Sequence, residues 1–345
     1  MDIRLQQLQQ WVEQTAAEQG IESLSGELLP VSGDASFRRY FRAVGEHASW
    51  IAVDAPPDKE NSRPFVDLAR DWFARGVRVP EILAADLELG FMLLEDFGDR
   101  LLLPELKDET AQRHYSQALS TLLQIQQLPA DNLAPYDEAL LQREMGLFDE
   151  WYTGSLLSLT LDEDEVALLA QVKSWLVDRA LSQRQVTVHR DYHSRNLMLL
   201  DDGGLGVIDF QDAVRGAQTY DLVSLFRDSY IRWSDAQVAQ WVEEYRAALS
   251  DAGVSVPSAE AFLKDFDCMG MQRQLKVLGI FSRLYLRDGK DGYLPDMPRT
   301  LGYLVRAAAR YPETEPFARW LERRVVPAMS AHPLFEAGEL ARELG

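Results

Sequence analysis

The sequence predicts an α+β protein of two unequal lobes, a small N-terminal lobe with an antiparallel sheet and a larger, mostly helical C-terminal lobe. The length of 345 residues exceeds that of one ordinary small domain. Short apolar or alternating runs, separated by Gly, Pro and Asp, follow one another before residue 96, as is typical of strands. Beyond that point most apolar residues recur at helical spacing. The predicted domains are residues 1–96 and 97–345.

The N-terminal lobe is predicted to begin with an amphipathic helix. Leu5, Leu8, Trp11 and Val12 repeat at helical spacing, and Gly20 supplies a stop. Three segments then predict antiparallel strands: LLPVSGDASFRRYFRAV, WIAVDAPP and GFMLLEDFG. Between the second and third, PFVDLARDWFARG has its apolar residues on one helical face, which predicts a helix.

The C-terminal lobe is predicted to be helical except for a few short strands. A capping box at Thr160 and Glu163 is expected to begin a helix that runs towards Ser182. The strands VTVH and LGVIDF follow, with the run LMLL and the turn DDGG between them, which predicts a hairpin. Past Asp221 the remaining apolar residues are periodic, which indicates helices to the end.

The composition is that of a folded protein, with 46% hydrophobic and 26% charged residues. A net charge of −20 repels phosphates and anionic headgroups, so we expect neither nucleic acid nor membrane as a partner. The one cysteine, Cys268, cannot form an internal disulfide, and no Cys/His cluster has zinc-site spacing. The N-terminus, MDIRLQQLQQWVEQ, resembles neither a signal peptide nor an anchor. We expect a cytoplasmic monomer.

The segment HRDYHSRN and the later segment IDF contain the candidate residues for phosphoryl transfer. Phosphoryl transfer needs Mg²⁺ to hold nucleotide phosphates and a carboxylate to orient the attacking hydroxyl. Asp191 is the candidate catalytic carboxylate, and Asn196 and Asp209 offer the hard oxygen ligands that Mg²⁺ prefers. The alternative is a polar turn in which these side chains only cap backbone groups.

Three segments, VHRDYHSRNLML, GVIDFQDA and YDLVSLFRD, resemble the aminoglycoside phosphotransferase family. The resemblance implies a protein-kinase-like fold, ATP and Mg²⁺ as cofactors, and a small-molecule acceptor. Gln211 stands where protein kinases have the glycine of D-F-G. Within the family, VDAPP, IDFQDAVRG and LKVLGIFSRLYLRDGK are most similar to kinases of cell-wall recycling. These phosphorylate the C1 hydroxyl of N-acetylmuramate and N-acetylglucosamine, so an amino sugar is the expected partner.

The resemblance also implies that residues 1–96 form a nucleotide-binding lobe and that residues 97–345 form a catalytic and substrate-binding lobe. GDASFRRYFR resembles the loop that covers the phosphates, which makes Gly33, Ser36 and Arg38 candidates for nucleotide contacts. FMLLEDFGD resembles the strand and hinge whose backbone pairs with adenine. Glu95 and Phe97 are the candidates there.

One position departs from the kinase pattern. If WIAVD aligns with the kinase strand V-A-I-K, Asp54 stands where a phosphate-binding lysine is expected, and a carboxylate would repel phosphates. Alternation along the preceding strand would send Arg38 and Arg42 to one face and Arg39 to the other. One of these arginines is a candidate replacement. The alternative is that all three are solvated strand residues.

Further residues are assigned by the resemblance or by chemistry. His189 and Asp221 are expected to brace the catalytic loop. His193 is a candidate for contact with the transferring phosphoryl group, with simple packing as the alternative. Asp212 is a candidate acidic contact for the metal or for sugar hydroxyls. Arg283 and Arg287 fall where the resemblance implies the acceptor pocket, and they are candidates for binding an acceptor carboxylate, with solvated surface positions as the alternative. Lys290 is a further candidate for the carboxylate, with a surface position as the alternative. Three aromatic residues are candidates for stacking on a sugar ring, with core positions as the alternative: Trp151, Tyr152 and Trp233.

Two other functions stay open from the sequence. The same fold could act on an aminoglycoside or a small amino alcohol, whose positive charge would suit the acidic chain. A nucleotide-binding regulator with little transfer activity is a further alternative, because of Asp54.

Overall fold

The computed structural model describes residues 2–21, 24, 26–31, 37–336 and 338–344. Its internal contacts divide the chain into two compact units. Unit 1 comprises Met1–Thr121 and Arg195–Asp212, and unit 2 comprises Leu122–Ser194 and Ala213–Gly345. The predicted functional boundary near residue 96 stays a prediction.

Unit 1 contains a five-stranded antiparallel sheet of order β1-β2-β3-β5-β4. The strands are β1 Leu29–Pro30, β2 Arg39–Val44, β3 Ser49–Asp54, β4 Ile82–Asp86 and β5 Phe91–Glu95. The helices are α1 Ile3–Gln19, α2 Arg63–Ala74 and α3 Ala111–Gln127, whose last residues belong to unit 2.

Helix α1 covers one face of this sheet. Leu8 and Val12 are buried in a core cluster with Phe41, Ala52 and Leu93 from three adjacent strands. Because side chains alternate along a strand, the residues between these point to the opposite face. The predicted helix and its core face are confirmed.

The ends of α1 follow from local chemistry. The Asp2 carboxylate caps its start by accepting from the Leu5 N–H at 3.1 Å. Gly20 ends it with φ 68°, a left-handed conformation that glycine adopts without steric cost. The stop predicted at Gly20 is confirmed.

The predicted hairpin is also part of unit 1. Its strands are β7 Leu197–Leu199 and β8 Leu205–Val207, which pair antiparallel across the DDGG turn. Leu102 N–H donates to the Leu197 carbonyl at 2.8 Å, and Val207 N–H donates to the Arg78 carbonyl at 2.8 Å. These backbone bonds fix the two ends of the hairpin within the unit.

Unit 2 is mostly helical. Its strands β6 Gln185–Val188 and β9 Val214–Ala217 pair antiparallel. Its helices are α4 Glu138–Leu147, α5 Glu163–Ser182, α6 Tyr220–Phe226, α7 Asp235–Asp251, α8 Ala259–Asp288, α9 Met297–Ala308, α10 Glu315–Trp320, α11 Val326–Ala331 and α12 Glu339–Leu344. Helix α8 is central, since every residue from Phe266 to Gly279 is buried.

Three local predictions need correction. The capping box of α5 lies at Asp162 and Glu165, two residues after the predicted pair. The stretch TLDEDE offers both frames, and the Asp162 carboxylate accepts from the Glu165 N–H at 2.9 Å while Glu165 accepts in return. Strands β4 and β9 were not predicted, because both are short and contain Ala or Gly, which are depleted in strands.

No helix among the described residues is both long and apolar enough to cross a membrane.

Candidate active site

Two groups of side chains, one in each unit, are candidates for the chemistry. In unit 2, the chain leaves β6 at Val188 and enters the segment HRDYHSRN. The Asp221 carboxylate accepts from the His189 N–H at 2.8 Å and from the Arg190 N–H at 3.0 Å. Arg190 has φ 75°, a conformation that is uncommon for a side chain of this size. Asp221 thus ties an unusual turn of the loop to the first turn of α6.

Asp191 follows this turn and is half-buried. Its N–H donates to His189 Nδ1 at 3.2 Å, and its carbonyl accepts from the His193 N–H at 3.0 Å. Burial alone would raise the pKa of Asp191, but the nearby charges of Lys276, His193 and Arg273 outweigh it and the pKa is lowered. Asp191 is therefore an anionic acceptor at neutral pH.

Asp221 behaves differently because it is fully buried. Burial raises the pKa of Asp221 to about 7, although its two backbone N–H donors act in the opposite direction. The positions of His189 and Asp221 suit the bracing role that the sequence predicts.

In unit 1, a cleft of about 560 Å³ lies on the sheet face opposite α1. Tyr40, Arg42, Ile51 and Leu94 line it from the sheet. The end of β5 and the segment after it contribute Glu95, Asp96 and Phe97. The hairpin segment contributes Asn196, Asp209 and Gln211. The structure therefore brings both predicted metal ligands and both predicted hinge residues to one cleft.

Asn196 and Asp209 lie next to each other in this cleft. Asn196 Nδ2 donates to Asp209 Oδ2 at 3.2 Å, and Gln211 Nε2 donates to Asp209 Oδ1 at 2.6 Å. Asp209 has φ 65°, so its backbone is held in a left-handed conformation. The carboxylate and the Asn196 amide supply hard oxygens of the kind that Mg²⁺ binds, and they fit a magnesium site. Gln211, which the sequence analysis treated only as a departure from D-F-G, orients the carboxylate.

The hinge residues make well-defined contacts. The Glu95 carboxylate accepts from Arg78 at 2.5 Å, and the Arg78 guanidinium lies 4.8 Å from the Phe97 ring centroid. A Cβ added at Gly206 would lie 2.5 Å from the Phe97 ring. Gly206 thus leaves room for this ring at the edge of the cleft. Gly33 and Ser36, predicted to contact the nucleotide, lie outside the described residues.

The three arginines of RRYFR have different surroundings. Arg42 lines the cleft and donates to Asp96 and Asp99. Arg39 points the other way and donates to Asp54. Arg38 is buried, with its Nε 3.6 Å from Glu60 Oε2 and its guanidinium 5.7 Å from the ring of Phe65, another residue of the cleft lining. The alternation predicted for Arg39 and Arg42 is confirmed.

Comparison with known proteins identifies the family of this chain. The sequence profile of the phosphotransferase enzyme family matches residues 27–258, more than half of the chain. The chain belongs to this phosphotransferase family. It is 44% identical to the N-acetylmuramate/N-acetylglucosamine kinase of Pseudomonas putida over 319 residues, which covers 90% of this chain and 94% of that protein. It is 43% identical to the kinase of the same name from Pseudomonas aeruginosa, with the same coverage.

A solved structure shows the same fold. The ethanolamine kinase from Plasmodium vivax has a TM-score of 0.61 and 10% sequence identity, and the match covers 84% of each chain. At this identity the likeness shows the fold alone. The predicted α+β, protein-kinase-like fold is confirmed, and so is the resemblance to the aminoglycoside phosphotransferases.

The predicted acceptor residues have less uniform surroundings in this phosphotransferase. His193 packs edge-on against Tyr230, with ring centroids 5.5 Å apart. Asp212 is exposed and belongs to unit 1. Arg283 is half-buried, whereas Arg287 is exposed and donates to its neighbour Asp288 at 2.8 Å. Their roles at the acceptor stay predictions.

The four remaining candidates differ in their surroundings. Lys290 is exposed beyond the end of α8, and Trp151 is half-buried. The Tyr152 hydroxyl contacts the Met329 sulfur at 3.2 Å in the core. Trp233 is buried edge-on against Trp241, with ring centroids 5.5 Å apart. Tyr152 and Trp233 thus occupy the core positions that were their alternative reading.

The buried charged residues near Asp191 were not predicted from the sequence. Glu144 from α4 is buried and accepts from Arg190 at 2.6 Å, and its other oxygen accepts from the Tyr136 hydroxyl. Lys276 from α8 is buried 3.3 Å from Glu144. A signal was present in α8, where the mostly polar run QRQLK lies between the apolar runs CMGM and VLGIF.

Proposed function

We propose that this phosphotransferase uses ATP and Mg²⁺ to phosphorylate the anomeric C1 hydroxyl of N-acetylmuramate and N-acetylglucosamine. The observation that carries the proposal is its 44% and 43% identity, over nine-tenths of the chain, to two kinases named for these sugars. The reaction would place it in the recycling of cell-wall sugars. We further propose a cytoplasmic monomer.

The unit 1 cleft supports a nucleotide site. Apolar side chains, among them Ile51, Leu94 and Met198, offer a surface for a flat base, and the backbone near Glu95 and Phe97 would pair with its edge. Asn196 and Asp209 would hold the magnesium ion at the polar end. When bound, the ion neutralises phosphate charge that develops during transfer.

Arg38 is the best-placed arginine to contact the phosphates. Arg39 and Arg42 each donate to two carboxylates, Asp2 with Asp54 and Asp96 with Asp99. Arg38 instead is buried beside Glu60, with its guanidinium over the ring of Phe65, which lines the cleft. An arginine and a glutamate would then do the work for which protein kinases use a lysine and a glutamate.

Asp191 would accept the proton of the acceptor hydroxyl. Its anionic state suits a hydrogen bond to the C1 hydroxyl, which aligns the oxygen lone pair with the phosphoryl group to be transferred. The bond that forms joins this oxygen to the γ-phosphorus, and the bond that breaks releases ADP. His189 and Asp221 would keep the loop backbone in the required conformation.

The test is product analysis with a panel of acceptors. Purified protein, ATP and Mg²⁺ are incubated separately with N-acetylmuramate, N-acetylglucosamine, an aminoglycoside, choline and ethanolamine, and ³¹P NMR identifies the phosphorylated position. The matched control is the methyl glycoside of N-acetylglucosamine, which has no free C1 hydroxyl. We expect sugar 1-phosphates and no transfer to the glycoside. Transfer to the glycoside, or only to the cationic acceptors, would contradict the proposal.

A further inference from the structure

We infer that Glu144 and Lys276 are positioning residues for Asp191: Glu144 fixes the loop through Arg190, and Lys276, paired with Glu144, adds a buried cation to the same network. The inference rests on the proposed role of Asp191 in phosphoryl transfer. Both residues lie on helices, α8 and α4, that are far from the catalytic loop in sequence.

Glu144 is the centre of a buried charge network. Its Oε1 accepts from Arg190 at 2.6 Å and lies 3.3 Å from Lys276 Nζ, and its Oε2 accepts from the Tyr136 hydroxyl. Only 7% of Glu144 is exposed. A buried carboxylate is tolerated when it is paired and hydrogen-bonded, and here both of its oxygens have partners.

Arg190 transmits this network to the loop. It directly precedes Asp191, and its backbone is left-handed. Three contacts hold that conformation: the N–H donates to Asp221, the guanidinium donates to Glu144, and the guanidinium lies 5.4 Å from the Tyr136 ring centroid. Because the dihedral angles of Arg190 set the direction of the next residue, Glu144 helps to determine where the Asp191 carboxylate points.

Lys276 supplies the charge. Its Nζ donates to the Tyr220 hydroxyl at 3.1 Å and pairs with Glu144, with 8% of the residue exposed. Burial alone would lower the pKa of Lys276, but Tyr220, Glu144 and Asp191 outweigh it and the pKa is raised. Lys276 is therefore a cation over the whole range in which the enzyme is expected to work.

Among the described residues, the charged groups that act on Asp191 come from three elements. Lys276 and Arg273 come from α8, His189 and His193 from the loop itself, and Asp221 from α6. Among the groups that lower the pKa of Asp191, Lys276 has the largest effect. Without its charge the pKa of Asp191 rises, and the carboxylate becomes protonated at a higher pH.

The first experiment compares pH profiles of kcat/KM for wild type, Lys276→Gln and Lys276→Arg. Gln keeps a donor for Tyr220 and Glu144 but removes the charge, and Arg restores the charge. We expect the acidic limb, the part of the profile where kcat/KM falls as the pH is lowered, to move to higher pH in Lys276→Gln. Below this limb, kcat/KM should be about ten-fold lower than that of wild type for each pH unit by which the limb has moved. The limb of Lys276→Arg should lie near that of wild type.

Two variants control for structural effects. Lys173→Gln removes another partly buried lysine of unit 2, which pairs with Asp149, and its limb should not move. Glu144→Gln removes an anion beside the loop, so we expect a lower kcat without any shift of the acidic limb to higher pH. The titration of Asp221 is common to all these proteins, so a difference between profiles reports on the substituted residue.

The second experiment needs no activity. Tm is measured for wild type, Asp191→Asn, Lys276→Gln and the double variant at pH 7. If the two charges interact, the double variant loses less Tm than the sum of the single losses. Suppose that the wild type phosphorylates the sugars, that the acidic limb of Lys276→Gln does not move, and that the Tm losses are additive. This outcome would overturn the present inference and leave the proposed function intact. A wild type without sugar phosphorylation would overturn the proposed function, and the Tm cycle would still decide whether Lys276 acts on Asp191.

Discussion

Arg39 and Asp54 lie directly opposite each other on β2 and β3, and Arg39 Nε donates to Asp54 Oδ2 at 3.0 Å. Arg4 of α1 donates to the other oxygen of Asp54 at 2.9 Å. Asp54 is completely buried, although both arginines are partly exposed. The carboxylate at the position expected for a phosphate-binding lysine therefore ties α1 to the sheet, on the face opposite the cleft.

Asp54→Ala should destabilise the protein without changing the nucleotide site directly. Loss of hydrogen bonds to a charged group costs about 1.5–3 kcal/mol in the free energy of unfolding. Urea unfolding at pH 7 measures it. Asp71→Ala is the control, because Asp71 makes an exposed pair with Arg75 that is worth about 0–1 kcal/mol. Asp54→Lys should not increase activity, since it would place a third cation beside Arg4 and Arg39. Faster turnover by Asp54→Lys would contradict this structural role.

Arg38→Ala should raise the KM for ATP or lower kcat by roughly 10- to 150-fold, the range of about 1.5–3 kcal/mol for a charge-assisted hydrogen bond. Arg39→Ala and Arg42→Ala should be nearly silent in the same assays, because their guanidinium groups donate to carboxylates of unit 1. Steady-state kinetics with varied ATP separates the three. Three variants with wild-type kinetics would show that no arginine replaces the lysine.

Asp209→Ala should weaken the nucleotide complex through the metal. The substitution removes a carboxylate ligand, so a higher Mg²⁺ concentration should restore part of the activity. Activity is measured over a range of Mg²⁺ at saturating acceptor, with Asp201→Ala, an exposed carboxylate in the turn of the same hairpin, as the comparison. An Asp209→Ala enzyme with wild-type activity at low Mg²⁺ would exclude this site for the metal.

Asp191→Asn should remove most of kcat and leave nucleotide affinity nearly intact, because Asp191 is proposed to orient the acceptor and does not hold ATP. Loss of general-base catalysis is worth roughly 10²- to 10⁴-fold in rate. Steady-state kcat and the Kd for ATP are measured on the same preparation. Retention of more than about a third of kcat would be incompatible with a catalytic role under that range.

Cys268 should be inert in the folded protein. It is 1% exposed in α8, and burial raises the pKa of its thiol to about 12, so the reactive thiolate is absent at pH 8. A chromogenic disulfide reagent should label the protein in urea and not in native buffer. Rapid labelling in native buffer would show that this part of α8 opens readily.

The sequence by itself determined the local elements and the residues of the phosphoryl-transfer motif. The apolar period and Gly20 predicted α1, and the DDGG turn between LMLL and LGVIDF predicted the hairpin that carries Asn196 and Asp209 to one cleft. These signals are local, since a helix stop or a tight turn depends on residues that are neighbours in the chain.

Tertiary structure decided which charges meet. Asp54 pairs with Arg4 from a helix 50 positions earlier in the sequence, and Glu144 brings together Arg190 and Lys276 from separate elements. A carboxylate's sequence neighbours do not reveal which cation it will pair with once buried, because that depends on distances set by packing of the whole core. For the same reason Lys276 and Glu144 were missed beside Asp191, although the sequence had identified Asp191 itself.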